Sequence, residues 1–489
     1  MKKLDWRAVP PLGLLWLANF IDRSNIGNAK VAGLPTDLHL KGNQLNIALA
    51  IFYIASEIPS NIILRKVGAK YWLPFIVAAW GIITTLSGLV QNFGGLCAIR
   101  IMLGLFEGGL LPGMPLYLSC LYPRHCLQVR IAYFYAGASL AGAFGGLLAT
   151  GLIQMDGLGG LAGWRWIFII EGIVTVIFAG IAVYLLPASV EKSNFLKEDE
   201  KDALVAVMGF DTMANRAKVM GVDLVAATDR VGGADEKQAK LAQVATQLDQ
   251  EVFEWREVRR GLTEIQAWVT GLAYLCICNC LYSYSLFLPT ILRGIYPTIT
   301  TTRLQLLTVP PFVPATLGVL IIAYMADRCK MRGPFILGLL PLCMIGYIML
   351  LVSNDAKVKY GATFLIALGI YPSAPCILSI PVNNVAGLYK RGTSNALQLM
   401  VANCAGFVAT FVYDPKTAPK YIPGHSVALG SLVCAWLLIA FNVWWCWKEN
   451  RAKREGRRDY MIEEYKSLVA SGKTQAPIGD RSPNFFYTL

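Results

Sequence analysis

The chain alternates between apolar stretches and short polar connections along almost its whole length. Apolar runs occupy residues 9–29, 45–64, 71–91, 94–121, 131–154, 164–187, 264–289, 303–326, 334–353, 360–382, 392–413 and 427–447. Each is close to the ~20 residues that an α-helix needs to cross a bilayer core. The pattern predicts twelve membrane-spanning helices, six before residue 190 and six after residue 263. The expected organisation is an N-terminal six-helix bundle (1–189), a central loop (190–262), a C-terminal six-helix bundle (263–447) and a polar tail (448–489). Inside the central loop, Leu241, Val244, Leu248 and Val252 recur at near-helical spacing. Asp235 to Trp255 therefore reads either as an amphipathic helix at the membrane surface or as a solvated linker.

Composition supports the membrane reading. Of 489 residues, 55% are hydrophobic and only 15% charged, where soluble domains carry roughly 25% charged residues. There is too little polar surface to coat a soluble body of this size, so the expected class is an all-α membrane protein. A net charge of +13 does not point to nucleic acid, because the basic residues collect in alternate loops. One set holds Arg65, Lys66 and Lys70, then Arg124 and Arg130, then Arg328, Lys330 and Arg332, then Lys390 and Arg391. The tail adds Lys448, Arg451, Lys453, Arg454, Arg457 and Arg458. The opposite loops hold fewer: Lys41, Arg293, Lys357, Lys359, Lys416 and Lys420. Basic loops stay on the cytoplasmic side, so both chain ends and the central loop are expected in the cytoplasm.

Several chemistries find no support. The 12 Cys and 3 His form no ligand cluster, so no metal is expected. The "SGKT" at Ser471–Thr474 has Ser467 where a phosphate loop requires its first Gly, and it lies in a polar tail. No nucleophile–base set is visible. The chain is expected to be neither an enzyme nor a cofactor carrier.

Charges inside the apolar runs are the informative departures. An ionisable group in the bilayer costs about 2.5–3.5 kcal/mol on insertion scales and normally faces a partner inside the bundle. Asp22 and Arg23 interrupt the first run within "NFIDRSNIG". Being consecutive, they point about 100° apart on a helix, so each needs its own partner. Arg100 and Glu107 in the fourth run are two turns apart and share one face. The four groups sum to zero, which predicts that spans 1 and 4 are neighbours through them. A purely structural charge network is the alternative. Glu57 and Glu171 are weaker candidates, and Arg165 is a possible helical partner for Glu171. In the second half, Tyr282, Ser283, Tyr284, Asn383, Asn384, Asn395, Gln398 and Asn403 could line a pocket or could hold helices together. Pro310, Pro311 and Pro314 should kink span 8.

Local motifs sharpen the picture. "LRKVGAKYW" after span 2 has a counterpart, "MADRCKMRGP", after span 8. These loops resemble the signature of the major facilitator superfamily, an Asp-Arg pair followed by Gly and further basic residues. The second copy keeps Asp327 and Arg328, and the first lacks the Asp. "FIDRSNIGNAKVAGL", "RIMLGLFEGGLLPG", "LYPRHCLQVR", "GWRWIFIIEG", "SYSLFLPTI", "LLTVPPFVPA" and "NNVAGLYKRGTSNALQ" follow in order. Together they resemble the fungal anion:cation symporter branch, of the allantoate and nicotinate permease type, from about Leu4 to about Lys448.

The resemblance implies a major facilitator fold, two pseudo-symmetric six-helix bundles with substrate held between them near the midplane. It implies proton uptake at Asp22 and Glu107, anion handling by Arg23 and Arg100, and a gating role for Asp327, Arg328 and Arg332. Tyr282, Tyr284, Asn395 and Gln398 are the second-half candidates for substrate contact. Span 5 has Gly137, Gly142, Gly145 and Gly146 but no Pro, whereas antiporters of the superfamily carry a Gly-Pro motif there. The expected function is proton-coupled uptake of a small organic anion, such as a vitamin or nitrogenous carboxylate, by a monomer in the plasma membrane. Export of a secondary metabolite and nutrient sensing without transport are the alternatives.

Overall fold

The computed structural model describes residues 2–51, 67–122, 124–187, 193, 195–201, 204, 254–413, 417, 420–471, 474, 478–483 and 485–489. Among them every regular element is helical. Inside a bilayer no water is available to the backbone, and a helix satisfies its own amides and carbonyls. Spans 1 to 6 are α1 (Lys2–Val31), α2 (Gln44–Ile51), α3 (Ala69–Ser87), α4 and α5 (Phe93–Glu107 and Leu110–Leu121), α6 (Arg124–Leu152) and α7 (Gly163–Leu185). A short α8 (Trp255–Leu262) precedes the second half. Spans 7 to 12 are α9 (Ile265–Ile295), α10 and α11 (Thr301–Leu306 and Phe312–Cys329), α12 (Gly333–Val352), α13 (Ala356–Asn384), α14 and α15 (Leu388–Asn403 and Ala405–Val412) and α16 (Ile422–Arg454). The tail forms α17 (Tyr460–Ala470).

Helix breaks follow local chemistry. Span 4 breaks at Gly108 and Gly109, and span 8 at Pro310 and Pro311, as its prolines predict. Asn92 caps α4 by accepting from the Gly95 amide at 2.8 Å, and Asp355 caps α13 through the Lys357 amide at 2.9 Å. Lys330, with φ 53°, ends α11 in the left-handed region. Several helices outrun their apolar runs: α1 starts at Lys2 and α16 continues to Arg454. Hydropathy marks only the lipid-facing length, whereas long basic side chains let a helix continue into the interface. Span 2 is described only to Ile51; Glu57 and nearly all of the Asp235–Trp255 segment lie outside the described residues.

Six described helices, and α14 with α15 taken together, are long and apolar enough to cross a membrane. Large apolar side chains face outward along many spans, among them Phe75, Ile82, Ile101, Phe144, Ile177, Leu317, Ile321 and Leu437. Such a belt would be a liability in water and is what a lipid-exposed surface requires.

The two halves repeat one packing scheme. In the first, α1 packs on α6 and α7, and α3 packs on α7; in the second, α9 packs on α14 and α16, and α12 packs on α16. The crossing of α3 with α7 depends on glycine. A Cβ on Gly172 would run into the Thr85 amide and the Gly81 carbonyl, so the backbones touch there. Gly172→Val is expected to separate these helices and cost at least the ~1–3 kcal/mol of overpacking, read as loss of monodisperse protein after detergent extraction.

The halves meet in contacts that lie toward the face opposite the chain ends. The end of α1 meets α9, where Gly27 lies against the Leu286 backbone. Span 5 meets span 8, with Gly142 against the Phe312 ring and Gly146 against Thr308. The start of α2 meets α15. The Lys30 ammonium stands 4.8 Å from the Phe287 ring centre and adds a cation–π contact to this seal.

Candidate functional site

Span 1 carries the site because its polar residues face inward. Asn19, Asp22, Asn25 and Asn28 are all buried, at 3% exposure or less. No lipid-facing charge is left on the middle of α1, so the apolar ring around the bundle stays intact.

Arg23 and Glu107 make the direct link between spans 1 and 4. The Arg23 Nε donates to Glu107 Oε1 at 2.5 Å, and the Glu107 side chain is only 1% exposed. This is the neighbour relation that charge balance demanded. Arg23 also reaches across to the second half: its Nη1 donates to the Tyr282 hydroxyl at 3.3 Å, and its guanidinium lies 5.6 Å from the Tyr282 ring centre. The Phe20 ring centre is 5.9 Å from the same guanidinium. One guanidinium thus touches both halves of the molecule.

Asp22 finds its hydrogen-bond partners in span 3. Its Oδ2 accepts from Trp80 Nε1 at 2.8 Å and from Thr84 Oγ1 at 3.2 Å. Both donors are buried, and neither stood out in the sequence: an aromatic and a threonine in an apolar helix look like ordinary core. Asp22 Oδ1 is buried without a hydrogen-bond partner.

Arg100 is the unusual member. It is 4% exposed, its Nη2 has no hydrogen-bond partner, and among the described residues no carboxylate oxygen lies within 4.0 Å of it. A buried guanidinium without an acceptor is costly. Asp22, Arg23, Ile26, Leu49, Arg100, Glu107 and Leu286 line a common cavity. The four ionisable groups therefore face one cavity, and one of the two cations in it is left open to an anion.

Glu171 belongs to a neighbouring layer. Its Oε2 accepts from Asn25 Nδ2 at 2.8 Å, and Asn28 Nδ2 donates to Asn25 Oδ1 at 3.1 Å. Arg165, the helical partner that the sequence offered, is elsewhere. Arg165 pairs with Asp37 at 2.9 Å and donates to the Gly88 and Val90 carbonyls. Helical spacing within span 6 suggested the wrong partner because the acid faces span 1 and the base faces the loop beyond it.

The second-half candidates separate. Tyr282 joins the site, as described above. Tyr284 faces away: it is 1% exposed, donates to the Thr363 carbonyl at 3.0 Å, and meets Phe312 and Tyr371 edge-on. Gln398 is fully buried and donates to the Ile377 carbonyl at 3.0 Å, tying span 11 to span 10. Neither Gln398 nor Asn395 lines the cavity. At the other end of the molecule, Asp327 pairs with Arg332 across the turn between spans 8 and 9, while Arg328 faces outward beside the Tyr324 hydroxyl.

Comparison with known proteins agrees with this architecture. The family model described as Major Facilitator Superfamily matches residues 12–410. A Schizosaccharomyces pombe protein named uncharacterized transporter C1002.16c is 35% identical, covering 100% of this chain and 89% of its own. The high-affinity nicotinic acid transporter of Saccharomyces cerevisiae is 28% identical, over 100% of this chain and 84% of its own. Among solved structures, the proton:xylose symporter XylE bound to a bromodeoxyglucose superposes with a TM-score of 0.63 at 14% identity, covering 91% of this chain and 96% of that one.

Proposed function

Because the chain belongs to the Major Facilitator Superfamily and is a multi-pass secondary transporter, we propose that it takes up a small organic anion together with protons. The observation that carries this reading is the inequality of the two arginines. Arg23 is held by Glu107, and Arg100, in the same cavity, has no carboxylate within ion-pair distance among the described residues.

The exchange works as follows. With Glu107 ionised, the Arg23 guanidinium is occupied. Protonating Glu107 removes that charge and frees Arg23 to join Arg100 in holding a carboxylate. Arginine is the suitable residue, because it stays charged and presents paired donors that match a carboxylate. Proton and anion therefore bind together. Asp22, positioned by Trp80 and Thr84, is the acid that balances Arg100 when no anion is bound, and is the second candidate for proton uptake.

Charge counting among the groups that line the cavity favours one proton per anion. The four cavity groups, two acids and two bases, sum to zero. Adding one monoanion and one proton restores zero. Both the empty and the loaded cavity can then be occluded without burying a net charge, which is the condition for crossing the midplane cheaply. The Tyr282 ring beside Arg23 and the likeness to a nicotinic acid transporter favour an aromatic or heterocyclic monocarboxylate as substrate. By the positive-inside bias the chain ends face the cytoplasm, and the plasma membrane is the proposed location.

The test is uptake of labelled nicotinate and related monocarboxylates by the purified protein in proteoliposomes. An inward proton gradient is expected to drive accumulation, with one proton taken up per anion, and an imposed membrane potential alone is expected to drive none. Accumulation that ignores the proton gradient overturns the reading. Anion release driven by inward proton movement would identify an exporter.

A further inference from the structure

We infer that residues 478–483 and 485–489 form a docked strut that positions the turn between spans 8 and 9, and that Lys390 is its receptor. The sequence presents this segment as the end of a polar tail. In the fold it returns, past the exposed helix α17, to the ends of the second-half spans on the face that carries the chain ends.

Its contacts are polar and buried. The Asp480 carboxylate accepts from Lys390 Nζ at 2.8 and 3.0 Å, and the same ammonium lies 2.5 Å from Glu264 at the start of span 7. Lys453, near the end of α16, donates to the Asp480 and Phe485 carbonyls, each at 2.7 Å, and stands 4.4 Å from the Tyr487 ring centre. Asn450 and Tyr487 exchange two hydrogen bonds of 2.8 Å. Asn384, closing span 10, makes three bonds with Thr488, at 2.7, 2.8 and 2.9 Å. Finally, the Leu489 carbonyl oxygen accepts from the backbone amides of Arg332 and Gly333, at 2.5 and 3.3 Å.

Three features make this a built site and not an incidental contact. With the segment in place Asn384, Lys390 and Lys453 are 0%, 2% and 6% exposed, and each directs its polar atoms at it, so the segment both covers and satisfies them. The Arg332 and Gly333 amides open α12, where the first amides of a helix have no partner of their own; Leu489 supplies the acceptor. Arg332 is also the side chain that holds Asp327. The segment therefore links spans 7, 10, 11 and 12 to the backbone that sets the Asp327–Arg332 pair. All the partners named here belong to the second half, so docking has no reason to favour one access state over the other. What it does is make the second half move as one body and hold its gate turn in register.

The test is hydrogen–deuterium exchange of the full-length protein in lipid nanodiscs, which needs no substrate and so stands apart from the transport reading. Peptides covering 328–336 and 478–489 are expected to be protected together. Lys390→Met removes the receptor charge and is expected to raise exchange in both peptides by about tenfold or more, with α17 unchanged. Thr488→Ala, a milder change that keeps every charge paired, is expected to loosen both to a smaller extent and serves if Lys390→Met does not fold. The inference fails if 478–489 exchanges at an unstructured rate in the unaltered protein. It fails equally if either variant frees the segment and leaves 328–336 as slow as before.

Discussion

Glu107→Gln is expected to abolish accumulation of substrate up its gradient while sparing exchange of substrate for substrate. The glutamine has the shape of the protonated acid and no charge, so Arg23 is released permanently. Anion binding no longer needs a proton, and a proton gradient can no longer do work on the anion. The salt bridge being removed is short and buried, 2.5 Å with the Glu107 side chain 1% exposed, so the change acts on Arg23 directly. Accumulation driven by a proton gradient should fall by on the order of a hundredfold, to the level of simple equilibration, while counterflow in substrate-loaded proteoliposomes continues. The paired readout separates loss of coupling from loss of folding, because a misfolded carrier loses both. If Glu107→Gln still concentrates substrate under a proton gradient, Glu107 does not carry the coupling proton. Asp22→Asn is the contrast: it removes the acid that balances Arg100, while its neighbours Trp80 and Thr84 keep an oxygen to donate to.

That spans 1 and 4 meet through charged side chains was legible in the sequence for one physical reason. Charge inside lipid is expensive enough that very few arrangements survive, so Asp22, Arg23, Arg100 and Glu107 had to find one another. Pairing within the set was not legible. Two acids and two bases allow more than one matching, and the choice depends on span 3, whose Trp80 and Thr84 hold Asp22 and leave Arg100 open. Neutral donors carry no cost large enough to show in a single sequence. Glu171 shows the same limit from another side. Helical spacing offered Arg165, but Asn25, from another helix, reaches it first. Tyr282 and Tyr284 were equal candidates by composition, and only the rotation of α9 decides that Tyr282 faces Arg23 while Tyr284 faces Thr363. The docked tail was the least legible part. Asp480, Tyr487 and Thr488 acquire meaning only from buried partners scattered over spans 10 to 12.

Arg100 is where a single substitution should weaken binding most. An anion that meets a buried guanidinium with no carboxylate partner among the described residues gains a charge-assisted pair without first breaking one, whereas at Arg23 it must displace Glu107. Truncating one partner of a buried charge pair costs about 2–5 kcal/mol, so Arg100→Met is expected to raise the half-saturating substrate concentration roughly thirtyfold or more. Arg100→Lys keeps the charge but loses the paired donors, and about a tenfold loss is expected. The obvious confusion is instability, because Arg100→Met leaves Asp22 buried with less positive charge nearby. The double variant Asp22→Asn with Arg100→Met removes that imbalance. It is expected to recover thermal stability in detergent close to the starting protein while binding stays weak, which assigns the binding loss to the missing guanidinium. Binding of labelled nicotinate that is unchanged in Arg100→Lys, or restored in the double variant, would show that the anion is held elsewhere. In that case the open cation would have to be explained by the other access state, in which Arg100 would find a protein carboxylate of its own.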